Sequence, residues 1–290
     1  MSGQETEYRS VWTWLRELDF RQGRLDANGV RTRFAEAGDP AAPGLVLLHG
    51  TGGHWETFAP NLAALSEHFH CVAIDMVGNG FSEKPDYDYE IPVYVRQVEA
   101  VLDHFGMGRA SFVGMSLGAW VAARFALDLP DRTDKVILMS PAGLVATASN
   151  MARIRAERTK AVQDPNWQSI KAMFDHLIAD EENRIPDIIA LRQAIYRLDD
   201  TRATIDHLLV LQDQQARERN LLSEQQWQSI KAPTLVVASG KDYSEYENTA
   251  RRVAALLPNS QILEMPNVKH WPHFEDPAVF NPAALKFLRG

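Results

Sequence analysis

The chain has one cysteine, Cys71, so an internal disulfide is excluded, and its place in an apolar run marks it as a buried thiol. It also lacks a basic excess. Thirty Lys and Arg against 38 Asp and Glu leave a formal net charge of −8, which gives no electrostatic footprint for nucleic acid or anionic lipid. No stretch is long and apolar enough to span a bilayer, and the opening MSGQETEYRS is polar with no signal-peptide core. The expectation is a cytoplasmic protein with neither a nucleic-acid nor a membrane partner. Nine histidines and the lone cysteine show no metal-ligand spacing, so no metal is expected. A homo-oligomer is compatible with this composition.

What is present suits a protein with a substantial core: 45% hydrophobic and 23% charged residues. A length of 290 residues fits two average domains or one large α/β domain with an insertion. FRQGRLDANGVRTRFAEAG reads as an antiparallel pair turning at Asn28-Gly29. Six further strand candidates follow: GLVLLHG, FHCVAIDM, ASFVGMS, KVILMSP, PTLVVASG and SQILEMP. Several are continuously apolar, as parallel strands covered on both faces must be. Helical patterns occupy 55–68, 91–106, 116–129, 246–257 and 276–289. This alternation implies an α/β fold with a mostly parallel sheet and right-handed crossovers.

Residues 141–231 break the alternation, with helical patterning and no convincing strand. In DPNWQSIKAMFDHLIAD, Asp164 is the expected helix cap with Pro165 in the first turn. PDIIALRQAIYRL follows with similar apolar spacing. The interval reads as a helical cap inserted into a core made of residues 1–140 and 232–290. The opening YRSVWTWLREL reads as a short amphipathic helix.

Within FVGMSLGAWVAARFA an apolar strand runs into Gly114-Met115-Ser116-Leu117-Gly118 and leaves at once as a helix. So sharp a turn needs glycine at 114 and 118, lifts the Ser116 hydroxyl above the sheet edge, and sets it at a helix N-terminus. A serine hydroxyl attacks only when a base takes its proton and a third group orients that base. Asp242 follows the strand PTLVVAS and His270 follows SQILEMP, both at the sheet edge where open parallel sheets place their sites. The competing readings are a turn aspartate and a surface histidine. His273 is a rival base further from the strand end, and Asp75 suits a structural role. HGTGGHW lacks the Gly-Lys-Ser/Thr ending of a phosphate-binding loop. Its glycines, Gly50 among them, let the backbone approach a substrate oxygen, so the Thr51 and Leu117 amides are assigned to an oxyanion hole. His49 is expected to brace this loop.

LVLLHGTGG, AIDMVGNGFSEKP, FVGMSLG, PTLVVASGKD and VKHWPHFEDP together resemble the α/β-hydrolase superfamily in order and spacing. The resemblance covers nearly the whole chain and implies about eight strands under a helical lid. The His270-Trp271 pair, LMSPAGL and DIIALR resemble the meta-cleavage-product hydrolases, which cut a carbon–carbon bond in vinylogous 1,5-diketone acids. That resemblance implies a cofactor-free enzyme with a small-molecule substrate, using Ser116, His270 and Asp242. It implies substrate contacts from Trp271 and from Arg192, whose guanidinium would bind a carboxylate. Ile188 and Ile195 share the face of Arg192, so the side chain emerges from an apolar stripe. The alternative for Arg192 is an arginine at the cap edge or paired with a protein carboxylate. The sequence departs from that subfamily at Met115, where asparagine usually handles substrate oxygens, and at Lys269 and Ser239, where glycine is usual. A carboxylesterase, thioesterase or lactonase with the same triad stays open, as does a ligand receptor on this scaffold.

Overall fold

The computed structural model describes residues 9–241 and 244–290. Eight strands form one sheet, in the spatial order Phe20–Ala27, Val30–Ala37, His70–Ile74, Gly44–Leu48, Ala110–Met115, Thr133–Met139, Thr234–Ala238 and Ser260–Glu264. β1 (Phe20–Ala27) and β2 (Val30–Ala37) pair antiparallel. The two-residue turn between them has Asn28 at φ 56° and Gly29 at φ 79°, the left-handed conformations a tight hairpin requires. β2 also runs antiparallel to β4 (His70–Ile74). From there the sheet is parallel through β3 (Gly44–Leu48), β5 (Ala110–Met115), β6 (Thr133–Met139), β7 (Thr234–Ala238) and β8 (Ser260–Glu264).

Burial explains the strand sequences. β4, β5 and β7 are buried at every position because helices cover both faces. The edge strand β8 is half-exposed throughout, with Ile262 at 43%, so SQILE mixes polar with apolar residues. The Ile91–His104 and Leu117–Asp128 helices contribute Val98, Val101, Trp120 and Phe125 to one apolar layer. The Ala59–Ser66 and Pro277–Arg289 helices contribute Leu62, Leu65, Phe280 and Leu288 to the other. Cys71 lies fully buried on β4, and burial pushes its thiol pKa up.

Between β6 and β7 the chain is helical, including Ala148–Gln163, Trp167–Leu177, Pro186–Tyr196 and Gln214–Asn220. One detail corrects the sequence reading. The second of these helices is capped by Asn166, whose side chain accepts from the Ser169 amide, and not by Asp164. Asp164 instead closes the preceding helix, and its carbonyl accepts from Ser169 Oγ at 2.6 Å. Among the described residues, the opening segment forms a single short helix, Trp12–Leu15. No described helix is long and apolar enough to cross a membrane.

Candidate active site

The parallel register brings Leu48, Gly114 and Leu138 side by side, so the loops after β3, β5 and β6 leave the sheet at one edge. Ser116 stands there at φ 54° and ψ −109°, directly before the Leu117–Asp128 helix. This strained backbone persists because its surroundings hold it. The Ser116 amide donates to the Met139 carbonyl at 2.9 Å, and its own carbonyl accepts from Trp120 at 3.1 Å. Glycine is obligatory on both sides. A Cβ on Gly114 would sit 2.4 Å from the Gly118 carbonyl oxygen, and one on Gly118 would sit 2.1 Å from that of Leu48.

Gly50, Thr51, Met115, Ser116, Leu117, Arg192, His270 and Trp271 all line one cavity between the sheet edge and the helical insert. Asp242 lies outside the described residues. Ser116 and His270 face this common space, and no hydrogen bond joins them among the described residues.

The loop after β3 is braced from below. His49 is fully buried and shares its Nδ1 proton with the Gly50 carbonyl at 2.7 Å, while its Nε2 accepts from the Met76 amide at 3.0 Å. Burial pushes its pKa down to about 3, so the ring is neutral, as this bonding pattern requires. The Gly52 amide donates to Asn79 and the Gly53 amide to the Gly50 carbonyl. The Thr51 amide keeps no protein acceptor among the described residues. Asp75 is fully buried and accepts from the Trp55 and Phe81 amides and from Arg33, which is a structural role.

His270 is 7% exposed. Its backbone amide donates to the Leu177 carbonyl of the insert at 3.0 Å, and its carbonyl accepts from Ser140 Oγ at 3.1 Å. The Tyr246 ring lies 4.3 Å from the imidazole, centroid to centroid. Burial, and then the charges of Arg158 and Arg153, push the imidazole pKa down to about 3. Its Nδ1 is buried and makes no hydrogen bond to a described residue. The rival base His273 is fully buried among Phe58, Trp271 and Phe280, and it does not line the cavity.

Arg192 is 1% exposed, between Ile188 and Ile195, which are equally buried. Its guanidinium lies 5.4 Å from the Phe174 ring and 5.6 Å from that of Tyr196. Nε and Nη1 have no acceptor among the described residues, and burial pushes the pKa down to about 10. A partner carboxylate, the alternative drawn from sequence, is not bonded to it among those residues.

Four contributors escaped the sequence reading. Arg153, Arg158 and Tyr246 line the cavity from helices that carry no motif. Glu275 ties the histidine loop together, accepting from the amides of Lys269 at 3.0 Å, Trp271 at 3.1 Å and Ala179 at 2.7 Å. The only signal for Glu275 was its place in VKHWPHFEDP.

Comparison with known proteins bears on the fold and the family. The chain is 28% identical over 275 residues to a 2-hydroxy-6-oxononadienedioate/2-hydroxy-6-oxononatrienedioate hydrolase of Burkholderia vietnamiensis, covering 91% of this chain and 93% of that protein. It is 27% identical over 270 residues to a 2-hydroxy-6-oxo-6-phenylhexa-2,4-dienoate hydrolase of Burkholderia cepacia, covering 90% and 92%. Among solved structures, the 2-hydroxy-6-oxo-6-phenylhexa-2,4-dienoate hydrolase of Rhodococcus sp. strain RHA1 superposes with a TM-score of 0.81 at 24% identity, covering 94% of this chain and all of that one. The naproxen esterase of Bacillus subtilis superposes with a TM-score of 0.80 at 19% identity, covering 96% and 94%. These superpositions establish a shared fold. The family described as the alpha/beta hydrolase family matches residues 45–283. With a match over most of its length, the chain belongs to the α/β-hydrolase family.

Proposed function

We propose that the protein is a cofactor-free serine hydrolase that cleaves a carbon–carbon bond in a 2-hydroxy-6-oxo-dienoic acid. The observation that carries this reading is the cavity itself. A strained serine at a helix N-terminus, a neutral buried histidine and a buried arginine with no carboxylate bonded to it among the described residues all face it. The names of the similar Burkholderia proteins support the substrate class.

In this reading Arg192 takes the substrate carboxylate and Trp271 packs beside it. The dienol first shifts a proton to carbon and becomes the keto form, because carbon leaves only when a conjugated carbonyl can receive the electron pair. His270 then removes a proton from Ser116, or from water, as oxygen attacks the 6-oxo carbon. The oxyanion lies on the Thr51 and Leu117 amides, with Gly50 letting the backbone approach and Met115 forming an apolar wall. Collapse breaks the carbon–carbon bond and the electron pair passes into the dienolate; on the serine route a water then releases the acyl fragment, whereas on the water route collapse gives the free acid directly.

Asp242 is proposed as the group that orients His270. The Gly240 and Lys241 amides both donate to the Val268 carbonyl, at 3.1 and 2.9 Å, which pins the chain just before Asp242 beside the histidine loop. His270 Nδ1 is the atom such a carboxylate would take.

Residues 141–231 are proposed as the lid over the core formed by 1–140 and 232–290. Their seam mixes polar and apolar contacts: His207 bonds Asp86 and Asp88 at 2.9 and 2.8 Å, Lys241 pairs with Asp180 at 3.1 Å, and Phe174 packs edge-on against Trp271.

A panel pairing 2-hydroxy-6-oxo-dienoic acids with neutral aryl esters tests the reading. Turnover of the acids at a kcat/KM well above that of any ester is expected, with loss of both activities in Ser116→Ala. Turnover of esters alone would assign the site to ester hydrolysis instead.

A further inference from the structure

Arg192 has a neighbour that no motif identified. Arg158, on the Ala148–Gln163 helix, is 8% exposed and lines the same cavity. Its Nη1 donates to Tyr196 Oη at 3.1 Å. Gly52 of the loop after β3 fixes where these groups meet. A Cβ placed on that glycine would lie 2.8 Å from Tyr196 Oη, 3.4 Å from Arg158 Nη1 and 3.6 Å from Arg192 Nη1. Two guanidinium groups therefore converge on one point of the oxyanion loop, with a phenol between them.

Neither guanidinium is bonded to a carboxylate among the described residues. The acid beside Arg158 in sequence, Glu157, is engaged with Arg153 at 3.1 Å and lies 3.5 Å from His176. Two like charges buried together are unfavourable unless an anion joins them. A plain carboxylate has two oxygens, and one guanidinium in a bidentate pair uses both. Each oxygen keeps a second lone pair, but a further oxygen close to the first two gives the second guanidinium a partner it does not have to share. Met115, the buried apolar side chain before Ser116, offers no hydrogen bond that would compete for that acceptor. Arg158 and His270 line the same cavity, and the charge of Arg158 helps hold the imidazole pKa down.

We propose that Arg158 is a specificity-determining residue of this site: with Arg192 it binds acids that carry an oxygen on the carbon next to the carboxylate, Arg192 holding the carboxylate and Arg158 the adjacent oxygen. This rests on the serine-hydrolase reading and names the feature by which the site selects its acid. A 2-hydroxy-dienoate, and the enolate formed from it, carries that oxygen, whereas a simple carboxylic acid does not.

The test compares two stable acids of equal chain length, 2-oxohexanoate and hexanoate, by titration calorimetry with the full chain. Wild type should bind the 2-oxo acid at least about tenfold more tightly, the effect expected of one charge-assisted hydrogen bond. Arg158→Met should remove that preference and leave hexanoate affinity within about twofold, while Arg192→Met should weaken both acids. Arg158→Lys keeps the charge without the planar fork and should recover part of the preference, with circular dichroism and melting confirming that each variant is folded. An unchanged preference in Arg158→Met, or equal weakening of both acids, would overturn the assignment. Binding is read without turnover, so failure of the dienoic-acid panel would count against the proposed reaction and not against this acid site.

Discussion

Replacing Gly118 by alanine adds one methyl group where the serine turn passes beneath the loop after β3. The new Cβ would lie 2.1 Å from the Leu48 carbonyl oxygen, 2.5 Å from its carbon and 2.8 Å from the His49 carbonyl oxygen. Ordinary contacts are about 3.5 Å, so relief requires more than about 1 Å of backbone movement. The obstructing atoms are main chain, and no side chain can rotate aside. The cost belongs at the upper end of overpacking, about 3 kcal/mol, which lowers Tm by about 5 °C in a chain of this size. The displaced segment leads directly into Gly50 and Thr51. A misplacement of about 1 Å at reacting groups lowers kcat/KM about 100-fold. Gly108→Ala is the control, because nothing lies within 4 Å of its added Cβ. Thermal melting and aryl-ester kinetics on both variants decide the matter. A Gly118→Ala protein with the melting temperature and activity of Gly108→Ala would refute the packing argument.

Other outcomes follow from the same geometry. Arg192→Met should raise KM for a dienoic acid about tenfold more than for a neutral aryl ester, as steady-state kinetics would show. Glu275→Ala strands three amide donors and should cost about 2–4 kcal/mol by urea denaturation, with Glu275→Gln intermediate because it keeps one acceptor. His49 is held neutral with a pKa of about 3, whereas an unfolded histidine titrates near 6.5. The unfolded chain therefore binds the extra proton between these values, and stability falls as pH drops below about 6.5, by about 1.4 kcal/mol per pH unit from this residue. Denaturation at pH 7, 6 and 5 should show a slope shallower by one proton in His49→Gln.

The serine turn was legible in sequence because its chemistry is local. Gly114, Ser116 and Gly118 fall within five residues, and steric necessity fixes two of them. The parallel strands were legible for a related reason, since burial on both faces leaves only apolar residues in β4, β5 and β7. Arg192 could be placed on an inward face because Ile188 and Ile195 mark that face. Arg158 could not: its helix has only four buried residues in sixteen and reads as a solvated element, so the inward turn of one arginine depends on Tyr196 across the insert. Glu275 and Tyr246 were hidden likewise, since each acts through a contact made only after the chain folds. The cap at Asn166 was misassigned because Asp164, Pro165 and Asn166 offer two cap residues in succession. The previous helix ends on the first of them.

The most direct measurement is covalent labelling of the intact protein with an alkyl phosphonofluoridate, followed by peptide mass mapping. The account predicts one equivalent of label on the peptide containing Ser116, none in Ser116→Ala, and labelling slowed at least about 100-fold in His270→Ala. Label on another residue, or an unchanged rate without the imidazole, would contradict it.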